Sequence, residues 1–236
     1  MEAEFFSAFD SAMSAESDRV VVITGAGRGF CGGASLALLE RIRAGDPTLP
    51  KADDPERRRL CELAEAPKPV VAAVNGAAAG MGLALALFCD VRFASSAAKL
   101  TTAFARRGLI AEHGVAWILP RLVGAAAASD LLLSGRVVSG SEAATMGLVN
   151  RSVDPGDVLH AALDYAAELA LHGCPASWAV IKRQLLSNSG LPLREAFQDS
   201  MGRMTAAHAS PEFAEGIAAF LERRPPRFSP LRSTSR

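Results

Sequence analysis

The sequence predicts an α/β fold followed by a helical C-terminal region. Short apolar runs, typical of strands buried on both faces, alternate with helical patterns as far as about residue 150. From there to residue 236 the patterns are mainly helical. Two glycine-rich turns each stand where an apolar run gives way to a helical pattern. We therefore predict an α/β core over residues 1–150 and a helical region over residues 151–236.

The core begins with phenylalanines at helical spacing within residues 3–15. Continuous apolar runs then predict two buried strands, Val20–Ile23 and Val70–Val74. A polar stretch with three prolines, residues 45–55, predicts a surface loop between them. The other elements predicted here are helices over 34–43, 56–65 and 81–88, and strands over 91–94 and 99–102.

Helices dominate after Gly108. Asp154 followed by Pro155 indicates a helix start, because Asp is a favoured N-cap and Pro is tolerated in the first turn. The helices predicted in this part span residues 114–122, 125–133, 141–146, 155–172, 177–186, 192–200 and 211–223.

Composition excludes several classes of protein. The chain has 25 basic and 25 acidic residues, so no net charge draws it to nucleic acid or to a membrane surface. Its four cysteines show no C-x-x-C spacing, which indicates reduced thiols and no metal site. The acidic N-terminus lacks the pattern of a signal peptide. These features predict a cytoplasmic protein.

The two glycine-rich turns, Gly25–Gly33 and Gly76–Gly82, carry the chemical prediction. A turn of this kind at a helix start leaves backbone N–H groups unpaired at the positive end of the helix dipole. Two such turns brought together can hold one negatively charged oxygen, which is an oxyanion hole made of main chain. The alternative is that these glycines only allow tight packing.

Each turn has a second interpretation when it is taken alone. Gly27-x-Gly29-x-x-Gly32 matches a dinucleotide-binding pattern, but the next strand begins only at Val70, and Phe30-Cys31 adds bulk where a phosphate would sit. Residues 69–89 contain no charge and include G-x-x-x-G, as a membrane helix can. Their glycines, many alanines and initial strand pattern favour close backbone packing instead.

Together with their flanks, the turns resemble the enoyl-CoA hydratase/isomerase (crotonase) superfamily. The first turn lies in V-V-V-I-T-G-A-G-R-G-F-C-G-G-A-S-L and the second in K-P-V-V-A-A-V-N-G-A-A-A-G-M-G-L-A-L-A-L-F-C-D. Motifs follow in the family's order over nearly the whole chain, among them Gly108-Leu109, L-P-R-L-V-G at 119–124, Ser134-Gly135-Arg136, Gly147-Leu148-Val149-Asn150, Lys182 and F-L-E-R-R-P-P at 220–226.

The resemblance implies a spiral of ββα turns, assembled as a homotrimer or hexamer through the helical region, and acyl-CoA thioesters as substrates. Coenzyme A is then part of the substrate, and no separate cofactor is expected. The implied oxyanion donors are the backbone N–H groups of Ala34 and Met81, just inside the predicted helix starts. The other implied substrate-binding residues are Gly33, Gly80 and Phe104, with Arg28, Arg223 and Arg224 near coenzyme A; for these arginines, solvated surface charge is the alternative.

The departures from the family pattern concern the acids. Family hydratases place one glutamate at the position of Ala84 and another at the position of Phe104, and neither residue here can move a proton. Hydration needs water delivered to one carbon and a proton to its neighbour, which two carboxylates do well. Ser35 also stands where many members have Asp. The strand-rich segment that precedes the first helix in the family is missing here, so either this sequence starts late or an edge of the sheet is exposed.

Glu112 is the remaining candidate acid/base, and several family isomerases have an acidic residue at its position. One carboxylate suits double-bond isomerisation, because it removes a proton and returns it elsewhere. Ile110, Trp117 and Phe104 predict an apolar setting for this carboxylate. The alternatives are that Glu112 stabilises the first turn of the next helix, that it performs hydration alone, or that the protein binds acyl-CoA without catalysis. His113, beside it, is predicted to be a packing or surface residue, and a role in the site is the alternative.

Overall fold

A computed structural model describes residues 2–51, 54 and 57–231, and it confirms the predicted α/β fold with a helical C-terminal region. The helices are α1 Glu2–Ser14, α2 Leu36–Arg43, α3 Glu62–Glu65, α4 Met81–Leu87, α5 Val115–Ser134, α6 Gly140–Thr145, α7 Val158–His172, α8 Pro175–Ser187, α9 Leu193–His208 and α10 Pro211–Glu222. The strands are β1 Val21–Thr24, β2 Val70–Val74, β3 Ala78–Ala79, β4 Val91–Ser95, β5 Lys99–Thr101, β6 Val138–Ser139 and β7 Arg151–Val153.

Two sheets organise the strands. The first has the order β1-β2-β4-β7, with β2 parallel to β4 and β4 parallel to β7, and β1 lies at one edge. All five residues of β2 are buried, as its continuous apolar run predicts. The second sheet has the order β3-β5-β6, with β3 parallel and β6 antiparallel to β5.

The chain divides into two compact units. The sheet unit comprises Val22–Leu63 and Val71–Ala162, and it contains most of both sheets with helices α2 and α4 to α6. The helical unit comprises Met1–Val21, Ala64–Val70 and Leu163–Arg236. Helix α1, at the start of the sequence, therefore belongs with the C-terminal helices α8 to α10.

A buried lysine anchors α1 within the helical unit. The ammonium of Lys68 donates to the carbonyl oxygens of Ala12 and Ala15, at 2.8 and 2.7 Å. These carbonyls lie at the end of α1, where intrahelical partners run out. The ammonium of Lys182 in turn donates to the carbonyl of Lys68 at 3.0 Å. Burial lowers the pKa of Lys68.

Several predicted boundaries are wrong, each for a local reason. The helix predicted over 56–65 spans only Glu62–Glu65, because the Glu62 carboxylate accepts the N–H of Arg59 and so caps a later start; residue 56 is outside the described residues. Asp154 and Pro155 form a turn closed by the N–H of Asp157, and α7 begins only at Val158. Helix α2 begins at Leu36, because the Ser35 side chain accepts the N–H of Leu38.

Helix α5 unites the helices predicted over 114–122 and 125–133, and by length and composition it could cross a membrane. Gly124 interrupts it, however, with φ 76° and ψ 164°. The two resulting segments are each about half the length that a membrane span requires. The uncharged stretch 69–89 forms β2, β3 and the seven-residue α4 rather than one long helix.

Candidate active site

The two glycine-rich turns lie side by side in the sheet unit. The N–H groups of Phe30 and Cys31 both donate to the carbonyl of Ala77, at 3.0 Å each. The N–H of Ala79 donates back to the carbonyl of Cys31, also at 3.0 Å. This short parallel pairing joins segments that are nearly 50 residues apart in the sequence, and it brings the turns together as predicted.

Three glycines make this close approach possible. A Cβ on Gly82 would overlap the carbonyl oxygen of Cys31, and one on Gly76 would overlap that of Arg28. Gly33, at φ +81°, approaches the second turn so closely that a Cβ would lie 2.6 Å from the oxygen of Ala79 and 3.4 Å from the nitrogen of Met81. The packing interpretation of these glycines is therefore correct, and it is compatible with a site for an anion.

The N–H groups of Ala34 and Met81 both lie at this junction. Met81 is the first residue of α4, directly after Gly80 at φ 55°. Ala34 precedes the N-cap Ser35, so the prediction that it lies just inside a helix is wrong. Within the described part of the chain, neither N–H has a hydrogen-bond acceptor. Such donors are suited to an oxyanion.

Apolar side chains occupy the two positions where family hydratases carry acids. Ala84, one turn into α4, is fully buried, and Phe104 is only 4% exposed. The edge of the Phe104 ring lies 3.8 Å from where a Cβ on Gly80 would be. The hydroxyl of Thr102 donates to the carbonyl of Leu131 at 2.7 Å and fixes the segment that leads to Phe104. The surroundings of the Gly80–Met81 turn thus hold no carboxylate at these positions.

Glu112 lies between a 3₁₀ turn at Ala105–Arg107 and helix α5. Its side chain is 40% exposed, and its carboxylate lies 4.0 Å from Nε2 of His113. Among the described residues, no N–H of the first turn of α5 donates to this carboxylate, since Gly114 is the N-cap and the Val115 N–H donates to the main-chain oxygen of Glu112. The structure therefore gives the carboxylate no capping role.

The neighbours of Glu112 differ from expectation. The prediction that Ile110 helps to enclose the carboxylate is wrong, because Ile110 is 80% exposed. The guanidinium of Arg121 stacks over the ring of Trp117, with the Arg121 Cζ atom 3.8 Å from the ring centroid. His113, which precedes α5, has a left-handed backbone at φ 56°, an uncommon conformation for a residue other than glycine.

The three arginines predicted near coenzyme A have different environments. Arg28 and Arg223 are exposed, and their guanidinium groups have no carboxylate partner within the described residues. Arg224 is engaged by Glu215 and Glu222, each at 2.6 Å. Arg28 and Arg223 are therefore open to an anionic ligand, whereas Arg224 already anchors the end of α10 in the helical unit.

Arg92, a buried arginine behind α4, supports the site and was not predicted from the sequence. Arg92 donates to the carbonyls of Leu87 and Cys89 at the end of α4, at 3.3 and 2.5 Å, and to that of Leu148 at 3.0 Å. Burial lowers its pKa. The signal was present in the sequence, as a single charge inside the apolar run Val91–Ala94. Arg92 therefore fixes the far end of the helix that begins at Met81.

Known proteins resemble this chain over most of its length. The family model for enoyl-CoA hydratase/isomerase matches residues 1–230. A protein of Rhodobacter capsulatus described as a probable enoyl-CoA hydratase is 39% identical over 219 residues, covering 89% of this chain and 81% of the relative. The 1,2-epoxyphenylacetyl-CoA isomerase of Escherichia coli is 37% identical over 226 residues, with the same coverage of 89% and 81%.

Among solved structures, an enoyl-CoA hydratase from Polaromonas sp. JS666 superposes with a TM-score of 0.86. It is 34% identical in sequence, and the match covers 97% of this chain and 89% of that one. The fold, the paired turns and the match over almost the full length lead to one conclusion: the chain belongs to the enoyl-CoA hydratase/isomerase family.

Proposed function

We propose that this protein moves the double bond of an enoyl-CoA thioester, with Glu112 as the single acid/base. The observation that carries the proposal is the apolar burial of Ala84 and Phe104 beside the Gly80–Met81 turn. Between residues 77 and 114 the acidic residues are Asp90 and Glu112, and Asp90 follows the far end of α4. Glu112 is therefore the carboxylate best placed by sequence to serve the paired turns.

The reaction follows from these groups. The Glu112 carboxylate takes a proton from the carbon next to the thioester carbonyl of a 3-enoyl-CoA. The resulting dienolate carries its negative charge on the thioester oxygen, which accepts hydrogen bonds from the N–H groups of Ala34 and Met81. Protonated Glu112 then returns the proton two carbons further along, which yields the conjugated 2-enoyl-CoA. One proton leaves and returns, so no water, metal or separate cofactor is consumed.

The substrate's phosphates give the exposed arginines a role in this proposal. Arg28 lies in the first turn itself, and its guanidinium has no carboxylate partner in the described part of the chain. Gly33 and Gly80 stand directly before the two donors; Gly33 lets the turns approach each other, and Phe104 adds an apolar side chain beside Gly80. The exposed apolar side chains of α9, among them Leu193 and Phe197, suit assembly with further copies of this chain.

The names of several relatives favour a second candidate. The Rhodobacter capsulatus protein is described as a probable hydratase, whereas the Escherichia coli protein is an isomerase. Hydration by this chain would require Glu112 alone to take a proton from the attacking water and to deliver a proton to the neighbouring carbon. We rank it below isomerisation, because the positions of Ala84 and Phe104 offer no second acid.

The deciding experiment supplies 2-enoyl-CoA and 3-enoyl-CoA separately and follows the absorbance of the conjugated thioester. Isomerisation predicts a gain from the 3-enoyl substrate that falls by about 100-fold or more in Glu112→Gln. Asp90→Asn is the matched control and should retain the gain. Loss of absorbance from the 2-enoyl substrate would support hydration instead. Binding of acyl-CoA without either change would indicate a non-catalytic subunit.

A further inference from the structure

We infer that Asn75 is a positioning residue, whose side-chain amide sets the first glycine turn against the second and thereby aligns the N–H groups of Ala34 and Met81. The inference deepens the proposed function and rests on it. Asn75 stands between the end of β2 and the second turn. In the sequence, Asn75 followed by Gly76 is an ordinary turn pair, and nothing else there marks Asn75 as functional.

The amide of Asn75 makes three hydrogen bonds to the first turn. Its Oδ1 accepts the N–H of Gly25 at 3.1 Å, and its Nδ2 donates to the carbonyls of Gly25 at 3.1 Å and Gly27 at 2.9 Å. The partners determine the orientation of the amide, because an N–H can only donate and a carbonyl can only accept. No other side chain of similar size offers one acceptor and two donors in this geometry.

These bonds fix the start of the first turn, and the main chain fixes its end. Gly25 packs so closely on Phe30 that a Cβ would lie 2.5 Å from the Cα of Phe30, so the turn closes on itself. From there the bonds of Phe30 and Cys31 to Ala77 continue the pairing towards Gly33. Asn75 therefore controls the register from which the chain reaches Ala34.

Misplacement of one donor has a specific kinetic consequence. A shift of about 1 Å in a catalytic group can cost about 100-fold in rate. The oxyanion bonds strengthen as charge develops on the thioester oxygen, whereas most contacts to coenzyme A are made equally by bound substrate and transition state. Loss of Asn75 should therefore lower kcat by about 10- to 100-fold. Because Arg28 lies in the same turn, KM should also rise, but by a smaller factor than kcat falls.

Thr24 provides a matched control. Its hydroxyl donates to the carbonyl of Ala73 at 2.9 Å, so it also ties the first segment to the second, one residue before the turn begins. Thr24→Val removes this bond without touching the turn. Asn75→Ala removes all three hydrogen bonds of the side-chain amide. Asn75→Asp keeps the oxygen that accepts from Gly25 but loses both donated hydrogen bonds. The two Asn75 variants guard against failure of either one to fold.

The experiment measures kcat and KM for 3-enoyl-CoA together with amide hydrogen exchange of the substrate-free variants. A fall in kcat with faster exchange of residues 25–34 in the Asn75 variants, but not in Thr24→Val, supports the inference. A kcat in the Asn75 variants within about twofold of Thr24→Val overturns it. If the wild type converts neither enoyl substrate, the proposed function fails. Exchange then decides the positioning role, since equal rates in all variants refute it and selective acceleration supports it.

Discussion

The paired glycine turns of the sheet unit and the C-terminal segment of the helical unit are both anchored by closely spaced hydrogen bonds, but of different kinds. The turns are joined by uncharged groups, namely backbone amides and the side chain of Asn75. The segment after α10 is held by carboxylates, because Glu215 binds Arg224 and the N–H of Arg227, and Glu212 accepts the N–H of Ser229.

The difference shows how two kinds of anchoring serve two needs. Uncharged hydrogen bonds do not depend on pH near neutrality. Exposed ion pairs respond to pH and to salt. We therefore expect steric or geometric changes to disrupt the pairing of the turns. Changes of charge should instead release the segment after α10.

The largest effect is expected where a methyl group would separate the turns. Gly82→Ala forces the added Cβ against the carbonyl oxygen of Cys31, which is backbone and cannot swing away. We expect a loss of about 3 kcal/mol in the free energy of unfolding and at least about 100-fold in activity. Urea unfolding and the enoyl-CoA assay measure both. Gly32→Ala is the control, since a Cβ there meets no atom of the described residues within 4 Å; equal losses in both variants would contradict the steric explanation.

A smaller but substantial effect is expected behind α4. Arg92→Met keeps much of the side-chain volume but leaves the carbonyls of Leu87, Cys89 and Leu148 without their buried donor. We expect the free energy of unfolding to fall by about 2 kcal/mol. Lys68→Met is the counterpart in the helical unit, where two carbonyls of α1 lose their donor. Chemical denaturation of both variants tests this, and a change below about 0.5 kcal/mol in Arg92→Met would refute it.

The charge-based anchoring should show a pH dependence that the turns lack. Hydrogen bonds from Arg224 and from the N–H of Arg227 lower the pKa of Glu215 to about 2, from an ordinary value of 4.5. The contribution of Glu215 is therefore complete above pH 4.5 and is lost as the pH falls towards 2. The difference in unfolding free energy between wild type and Glu215→Gln should shrink between pH 5 and about pH 3.

Thr24→Val supplies the contrast for this pH series. Its lost bond is between uncharged groups, so its difference from wild type should stay constant over the same pH range. Raising the salt concentration to about 1 M should also weaken the effect of Glu215→Gln and leave that of Thr24→Val unchanged. A pH-independent difference for Glu215→Gln would show that the C-terminal segment is not held by charge.

The smallest effect should have the opposite sign. Gly202 lies inside α9, and within the part of the chain that the structure describes a Cβ there meets no atom within 4 Å. Gly202→Ala should therefore stabilise the protein by about 0.5–1 kcal/mol, because alanine loses less backbone entropy in a helix. Thermal unfolding measures the gain. A loss of stability would mean that this face of α9 is covered in solution, for example by another copy of the chain.

The parts of the fold that the sequence predicted correctly are those with a local cause. Strand β2 has a continuous apolar run, and α1 has phenylalanines at helical spacing. The short strands β3, β6 and β7 were missed, because two or three residues carry no period and these strands exist only through pairing with distant partners. The helix start at Val158 was misplaced because Asp154 and Pro155 serve a turn equally well.

The same distinction applies to the candidate site. The glycine turns could be predicted, since glycine is required by close approach and positive φ. The exposure of Ile110 could not be, because burial depends on which distant segments cover a residue. The contribution of Arg92 was present in the sequence as a single charge in an apolar strand, yet its carbonyl partners come from two separate segments, the end of α4 and Leu148.

The pairing of the turns also has a consequence for folding kinetics. The hydrogen bonds from the side-chain amide of Asn75 reach Gly27 and Gly25, which are 48 and 50 positions away in the sequence. They therefore form only after a long loop has closed. Local structure such as helix α4 can form early, but the donors of Ala34 and Met81 meet only when this distant contact is complete. Recovery of catalytic activity during refolding should therefore lag behind recovery of the helical circular-dichroism signal. The rate at which activity returns would report closure of the loop between the two turns.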